Sequence, residues 1–191
     1  MGGEVEAAEG SSVDLLFEAA VGGGIPLIRP LRESLAGERV HRVMGIVNGT
    51  TNYVLTRMTE VGADYHGALV EAQQSGFAER DPTADVRGLR RRRRRRRILA
   101  TIRRSGAEVV AGDVYREGIS DIKPSDIAFA TRLGYVVKLL AIVERIGEMV
   151  EGQEPDLAVG VHPTDDPGGT PPRHRCADSY NASVPRGRHG R

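Results

Sequence analysis

Three carboxylates crowd one loop, Phe77-Ala-Glu-Arg-Asp-Pro-Thr-Ala-Asp85: Glu79, Asp81 and Asp85. Carboxylates flanking a helix start are a means of gripping an ammonium or hydroxyl group through charge-assisted hydrogen bonds. A second polar turn, Asn48-Gly-Thr-Thr-Asn52, follows an apolar run directly. There Gly49 supplies backbone freedom and Thr50 is a candidate to cap free N–H groups. A strand, a polar turn and a helix in that order are a common ligand position in α/β folds. Both stretches also have a plainer reading, as an ordinary acidic surface loop and a simple helix cap.

Eight consecutive arginines, Arg90 to Arg97, follow the carboxylate loop. Such a run would contact the phosphates of any polyanion in a salt-dependent way. No reader motif or aromatic platform accompanies it, so nucleic acid is not an expected partner. On a helix the run would place guanidinium groups all round, including toward the core, where charge burial is costly. His41 has no second His or Cys spaced to share a metal, and it is expected on the exposed side of its strand. His174, Cys176 and His189 are isolated residues in a Gly-, Pro- and Arg-rich tail. The single cysteine rules out an internal disulfide and a cysteine-rich zinc site.

These residues need elements to hold them. Val13 to Ala20 is an apolar run of strand length, leading into Val21-Gly-Gly-Gly-Ile-Pro26. Pro26 suits a helix start, and Leu27, Leu31 and Leu35 supply a stripe at i, i+4 spacing. Residues 39–47 read as a strand entering a core. The polar turn at 48–52 then starts a helix running to about Thr59. Asp64 starts another, ending at Gly76. Asp81 and Pro82 begin a third. Residues 113–119 read as a connector. Lys123-Pro-Ser-Asp starts a helix, with Ser125 as its cap. Tyr135 to Ile146 is β-branched and apolar and predicts a central strand, with Leu157 to His162 as its partner. The expected fold class is α/β, a mixed sheet with flanking helices. Residues 1–12 are expected to fray, 13–163 to form one domain with an aberrant Arg-rich segment at 90–112, and 164–191 to be a disordered tail.

At 191 residues the chain has room for one sizeable core. It is 39% hydrophobic and 28% charged, as soluble globular proteins are, and 4% aromatic, so the core must be aliphatic. The net charge is +1; without the eight arginines it is 1 − 8 = −7, an acidic chain carrying one basic insert. No apolar run approaches the roughly 18 residues of a membrane span. No secretory leader is visible. A cytoplasmic location is expected, with no membrane partner.

Four stretches identify a family. They are F-E-A-A-V-G-G-G-I-P-L-I-R-P-L-R-E-S-L-A-G (17–37), G-I-V-N-G-T-T-N-Y (45–53), G-F-A-E-R-D-P-T-A-D-V-R-G (76–88) and D-V-Y-R-E-G-I (113–119). Together they resemble the catalytic domain of homoserine dehydrogenase, in particular its actinobacterial type. Ala72, Gly76, Phe77, Ala78, Asp81, Pro82, Asp85, Val86 and Gly88 satisfy the family signature. The resemblance implies NAD(P)-dependent interconversion of L-homoserine and L-aspartate 4-semialdehyde, in threonine, methionine and isoleucine biosynthesis. In that reaction hydride passes between homoserine's hydroxyl carbon and nicotinamide. It implies Gly49, Thr50, Glu79 and Asp85 as substrate-binding residues. It further implies a monovalent cation held by Glu18 and the carbonyls of Val21, Gly23 and Ile25, and a homodimer.

The sequence departs from the family at two places. The signature's last Asp falls on Arg90 and its Lys, the family's candidate proton shuttle, on Arg94. A guanidinium stays protonated and cannot shuttle. The family also carries an N-terminal nucleotide-binding domain of roughly 100–150 residues. No strand–GxGxxG–helix unit occurs here, and Gly22-Gly23-Gly24 lacks the spacing. The chain is therefore expected to be inactive alone. The alternatives are a non-catalytic dimerising fragment and an Arg-rich polyanion-binding protein. Alanine codons of a GC-rich gene read one base out of frame become arginine codons, which would account for both the arginine run and the tail.

Overall fold

The computed structural model describes residues 10–11, 13, 25–26, 29–34, 40–83, 114–147, 156–167, 180 and 182–187. A five-stranded mixed sheet organises them, in the order β2-β4-β3-β1-β5. The strands are β1 (Val40–Ile46), β2 (Tyr115–Arg116), β3 (Tyr135–Ile146), β4 (Asp156–Pro167) and β5 (Ala182–Gly187). Three helices accompany them: α1 (Gly49–Val61), α2 (Tyr65–Gln74) and α3 (Pro124–Arg132). One short π-helical turn, Pro30–Ser34, stands where a longer helix is expected. Residues 27–28 and 35–39, where the rest of that helix is expected, and 14–20, where a strand is expected, lie outside the described residues.

β3 is the central strand, as its sequence predicts. Twelve residues rich in Val, Leu and Ile have high strand propensity. Gly134 and Gly147 bracket them at φ 79° and 78°, a left-handed conformation that ends the run cleanly at both sides. β3 pairs antiparallel with β4 along its whole length, from Tyr135↔Pro167 to Ile146↔Asp156. On its other side it pairs antiparallel with β1, from Arg42↔Glu144 to Gly45↔Ala141. Among the described strands only β2 and β4 run parallel, through Tyr115↔Gly160 and Arg116↔Val161.

The pleat of β3 divides the core in two. Odd-numbered Val137 and Leu139 join the helical layer, packing with Tyr53, Val54, Leu55 and Met58 of α1, Ala68 and Ala72 of α2, and Ile127 and Ala130 of α3. Even-numbered Leu140 and Ile142 join Met44 and Ile46 of β1 in a second cluster, with Ala182 against it. Alternate residues of a strand point to opposite faces, so one strand feeds both layers.

Four expectations are corrected. Residues 113–119 are not merely a connector, because Tyr115 and Arg116 form β2 against β4. The tail expected to be disordered from residue 164 contains the end of β4 and all of β5, which pairs with β1 from Val40↔Gly187 to Ile46↔Ala182. β5 is an edge strand, where Pro185 does no damage to a ladder, so its composition hides it. α3 is not capped by Ser125; Lys123 occupies the cap position and its N–H donates to Asp126 Oδ2 at 2.9 Å. His41 is partly buried rather than exposed, and its Nε2 is out of solvent with no hydrogen-bond partner among the described residues.

Candidate substrate site

The site grows from the junction of β1 and α1. β1 delivers an apolar strand into the core and breaks at Val47-Asn48. Asn48 is the N-cap of α1, not Thr50: its backbone is extended (φ −135°, ψ 107°) and its Oδ1 accepts from Thr51 N at 3.2 Å. Thr51 Oγ1 donates back to Asn48 O at 3.1 Å. Asn is among the best N-cap residues because its side-chain carbonyl satisfies a free donor of the first turn.

Capping by Asn48 releases Thr50 for another task. Its hydroxyl donates to Phe77 O at 2.6 Å, across 27 residues of sequence. The contact fastens the first turn of α1 to the carboxylate loop. A hydroxyl that donates once still has acceptor capacity. Thr50 can therefore hold the loop and also accept from an ammonium or hydroxyl group beside it.

The loop is built by its glycine and by α2. Gly76 takes φ 77°, which only glycine adopts without strain. That lets Phe77 N and Ala78 N turn back to the same carbonyl, Ala72 O, at 2.8 and 3.1 Å. Gln73 Nε2 donates to Glu79 O and Arg80 O at 3.2 and 3.3 Å. Glu79 is thus held at the backbone while its residue stays exposed. The Phe77 ring lies 4.7 Å from the ring of Tyr53, tilted by 32°. The Tyr53 hydroxyl in turn donates to Glu71 Oε1 at 3.1 Å.

Electrostatics stiffen this frame. Arg57 Nε donates to Glu71 Oε2 at 3.0 Å. That hydrogen bond, with a further one from Tyr53, holds the Glu71 carboxyl below the usual carboxylate range against the opposing effect of desolvation. The same contact raises Arg57. Asp81 is lowered by hydrogen bonds from the side chain and backbone of Thr83, and its Oδ1 lies 3.2 Å from Thr83 N. Asp81 therefore binds back to the backbone two residues on and is held in its ionised form; the helix expected to follow it falls, beyond Thr83, on residues outside the described ones.

Of the residues singled out in the sequence, Gly49, Thr50 and the Glu79 loop come together. Ile25 is described and half-buried in a bend. Asp85, Arg90, Arg94, Glu18, Val21 and Gly23 lie outside the described residues, as do His174, Cys176 and His189. Among the described residues no group of three His, Cys, Asp or Glu could hold a metal ion. Asn48, Asn52, Tyr53 and Lys138 also matter to the site. Asn48 was legible as a standard N-cap type. Tyr53, Asn52 and Lys138 reveal themselves only through contacts distant in sequence.

The β1–α1 junction is not built as a dinucleotide-binding turn. It carries one glycine, Gly49, and the donor that would face a pyrophosphate, Thr51 N–H, is already taken by Asn48. No helix among the described residues is long and apolar enough to cross a membrane.

Comparison with known proteins matches this geometry to one family. The sequence model of homoserine dehydrogenase matches residues 26–188. A homoserine dehydrogenase of Mycobacterium tuberculosis is 55% identical over 141 residues, which is 74% of this chain and 32% of that protein. The crystal structure of a homoserine dehydrogenase from Thiobacillus denitrificans superimposes with a TM-score of 0.83 at 35% identity, covering 97% of this chain and 41% of that one. A hyperthermophilic archaeal homoserine dehydrogenase mutant, in complex with NADPH, gives a TM-score of 0.70 at 26% identity, covering 96% of this chain and 49% of the other. The chain spans about a third of the length of the curated relatives it matches.

Proposed function

The chain belongs to the homoserine dehydrogenase family, and from that premise we propose that it supplies the homoserine side of an NAD(P)-dependent site interconverting L-homoserine and L-aspartate 4-semialdehyde. The observation that carries this is the Thr50–Phe77 hydrogen bond, which sets Gly49 and Thr50 beside the loop bearing Glu79. Glu79, with Asp85, binds the ammonium and hydroxyl ends of homoserine. Thr50 accepts a further hydrogen bond from the substrate.

The chain alone binds homoserine and does not turn it over. The β1–α1 junction is not a dinucleotide-binding turn, and the proton-shuttle position falls on Arg94, which cannot release a proton. A monovalent cation is held by Glu18 with the carbonyls of Val21, Gly23 and Ile25. The chain works in the cytoplasm, in the route to threonine, methionine and isoleucine, and it forms a homodimer. Exposed Phe129 and Leu133, one helical turn apart on and just after α3, support self-association.

Isothermal titration of the 191-residue chain with L-homoserine tests the reading, with absorbance at 340 nm read after NADP is added. Saturable binding is expected, weakened about tenfold in Glu79→Gln through the lost charge-assisted contact. No change in absorbance is expected. Absence of saturable binding refutes the substrate assignment, and turnover refutes the claim of inactivity.

A further inference from the structure

A lysine lies inside this protein. Lys138, in the middle of β3, is only 3% exposed. Its Nζ lies 2.8 Å from Asn52 Oδ1 and 3.4 Å from Thr56 Oγ1, both on α1. Taking an ammonium group out of water is costly unless good hydrogen bonds replace its hydration. Its neighbours along β3 are Val137, Leu139 and Leu140, and an aliphatic residue at 138 would avoid that cost. The site keeps a lysine where packing alone would not ask for one.

What the ammonium holds is the first turn of α1. Asn52 ties the strand, the helix cap and the Tyr180 backbone together. Its Oδ1 accepts from Lys138, its Nδ2 donates to Tyr180 O at 3.2 Å, and its backbone N donates to Asn48 O at 3.2 Å. Asn48 is the cap that frees Thr50 for Phe77. A continuous set of hydrogen bonds therefore runs from the central strand, through Asn52 and Asn48, to the turn that carries Gly49 and Thr50. The second acceptor, Thr56, sits one turn further along α1 and fixes the same face of the helix. Both α1 residues are buried, Asn52 to 1% and Thr56 to 4% exposure, so the network is shielded from competing water.

We propose that Lys138 is a positioning residue for the homoserine site: acting through Asn52, it sets the first turn of α1, and with it Gly49 and Thr50, against the Phe77–Glu79 loop. The inference rests on the reading of this site as the homoserine side of the enzyme. Lys138 does not touch the substrate. It limits the freedom of the residues that do.

The chain contains two lysines, Lys123 and Lys138, and Lys123 is exposed. Lysine labelled with ¹³C at Cε therefore gives one reporting signal and one internal control in the full chain. On titration with L-homoserine, the Lys138 signal is expected to shift saturably while Lys123 stays still. Lys138→Met, which keeps the length of the side chain and removes its charge and donors, is expected to raise the homoserine Kd about tenfold. Asn52→Leu is expected to raise it comparably, and the double variant no further, because both act through one junction. A folded Lys138→Met with a Kd within twofold of wild type overturns the proposal, as does an additive double variant. If Lys138→Met does not fold, the wild-type spectrum decides: a Lys138 signal that ignores saturating homoserine overturns the proposal. If the wild-type chain binds no homoserine at all, the reading of the substrate site has failed and this inference falls with it.

Discussion

Replacing Thr50 by valine isolates the contact that assembles the site. Valine matches threonine in shape, so no cavity opens. The change removes one donor and leaves Phe77 O, previously bonded at 2.6 Å, without its partner. Thr50 is 9% exposed while Phe77 is 42% exposed, so the bond is partly buried and water can replace some of what the carbonyl loses. A buried acceptor left unsatisfied costs about 1–3 kcal/mol, and the partial burial here points to about 1 kcal/mol. For a chain of this size that corresponds to a fall in Tm of roughly 2–4 °C. The loss should also be local: amide exchange at Phe77 and Ala78 should rise more than at core strand residues such as Leu140. Thr50→Ser keeps the hydroxyl and loses one methyl group, so it should cost up to about 0.8 kcal/mol while leaving loop protection intact. Calorimetry and hydrogen exchange on the three proteins check this. If Thr50→Val melts with wild type and Phe77 and Ala78 stay protected, the hydroxyl does not hold the loop and the reasoning fails.

Three further outcomes follow from the same structure. Asn48→Ala removes the α1 cap and should cost about 1 kcal/mol in urea unfolding, with no compensating gain, because Thr50 is committed elsewhere. Glu71 has its carboxyl lowered in the fold by Arg57, so its contribution is present above the unfolded carboxylate value of 4.5 and is lost as pH falls through the folded value. The acid limb of a Tm–pH profile should flatten in Glu71→Gln, and an unchanged limb contradicts that assignment. Leu140→Ala, at a fully buried position shared by β3 and the second core cluster, should cost about 2–5 kcal/mol, measured by chemical denaturation.

The parts legible in the sequence are those decided locally. β3 appears with its observed bounds because an apolar, β-branched run is closed at both ends by glycine. α2 and its Asp64 cap follow from a short helical stripe behind a capping residue, and Asp64 Oδ1 accepts from Gly67 N at 2.7 Å. The acidic loop and the Asn48–Asn52 turn stand out by composition, and they do meet in space. What could not be read depends on partners far along the chain. Thr50 looks like a cap until Phe77 is seen to claim its hydroxyl. β5 looks like a tail because its strand character comes from pairing with β1 rather than from its own residues. Lys138 looks like a polar interruption of an apolar strand, since its partners Asn52 and Thr56 lie 86 and 82 residues away.

Where homoserine binds decides whether the β1–α1 junction and the acidic loop form the substrate site. An amide-resolved NMR titration of the full chain with L-homoserine locates it directly. Saturable shifts concentrated at Gly49, Thr50 and residues 77–80, with the strand amides of β4 unmoved, are the predicted result. Saturable shifts elsewhere, with Gly49, Thr50 and Glu79 silent, would contradict the assignment of the β1–α1 junction and the acidic loop as the substrate site.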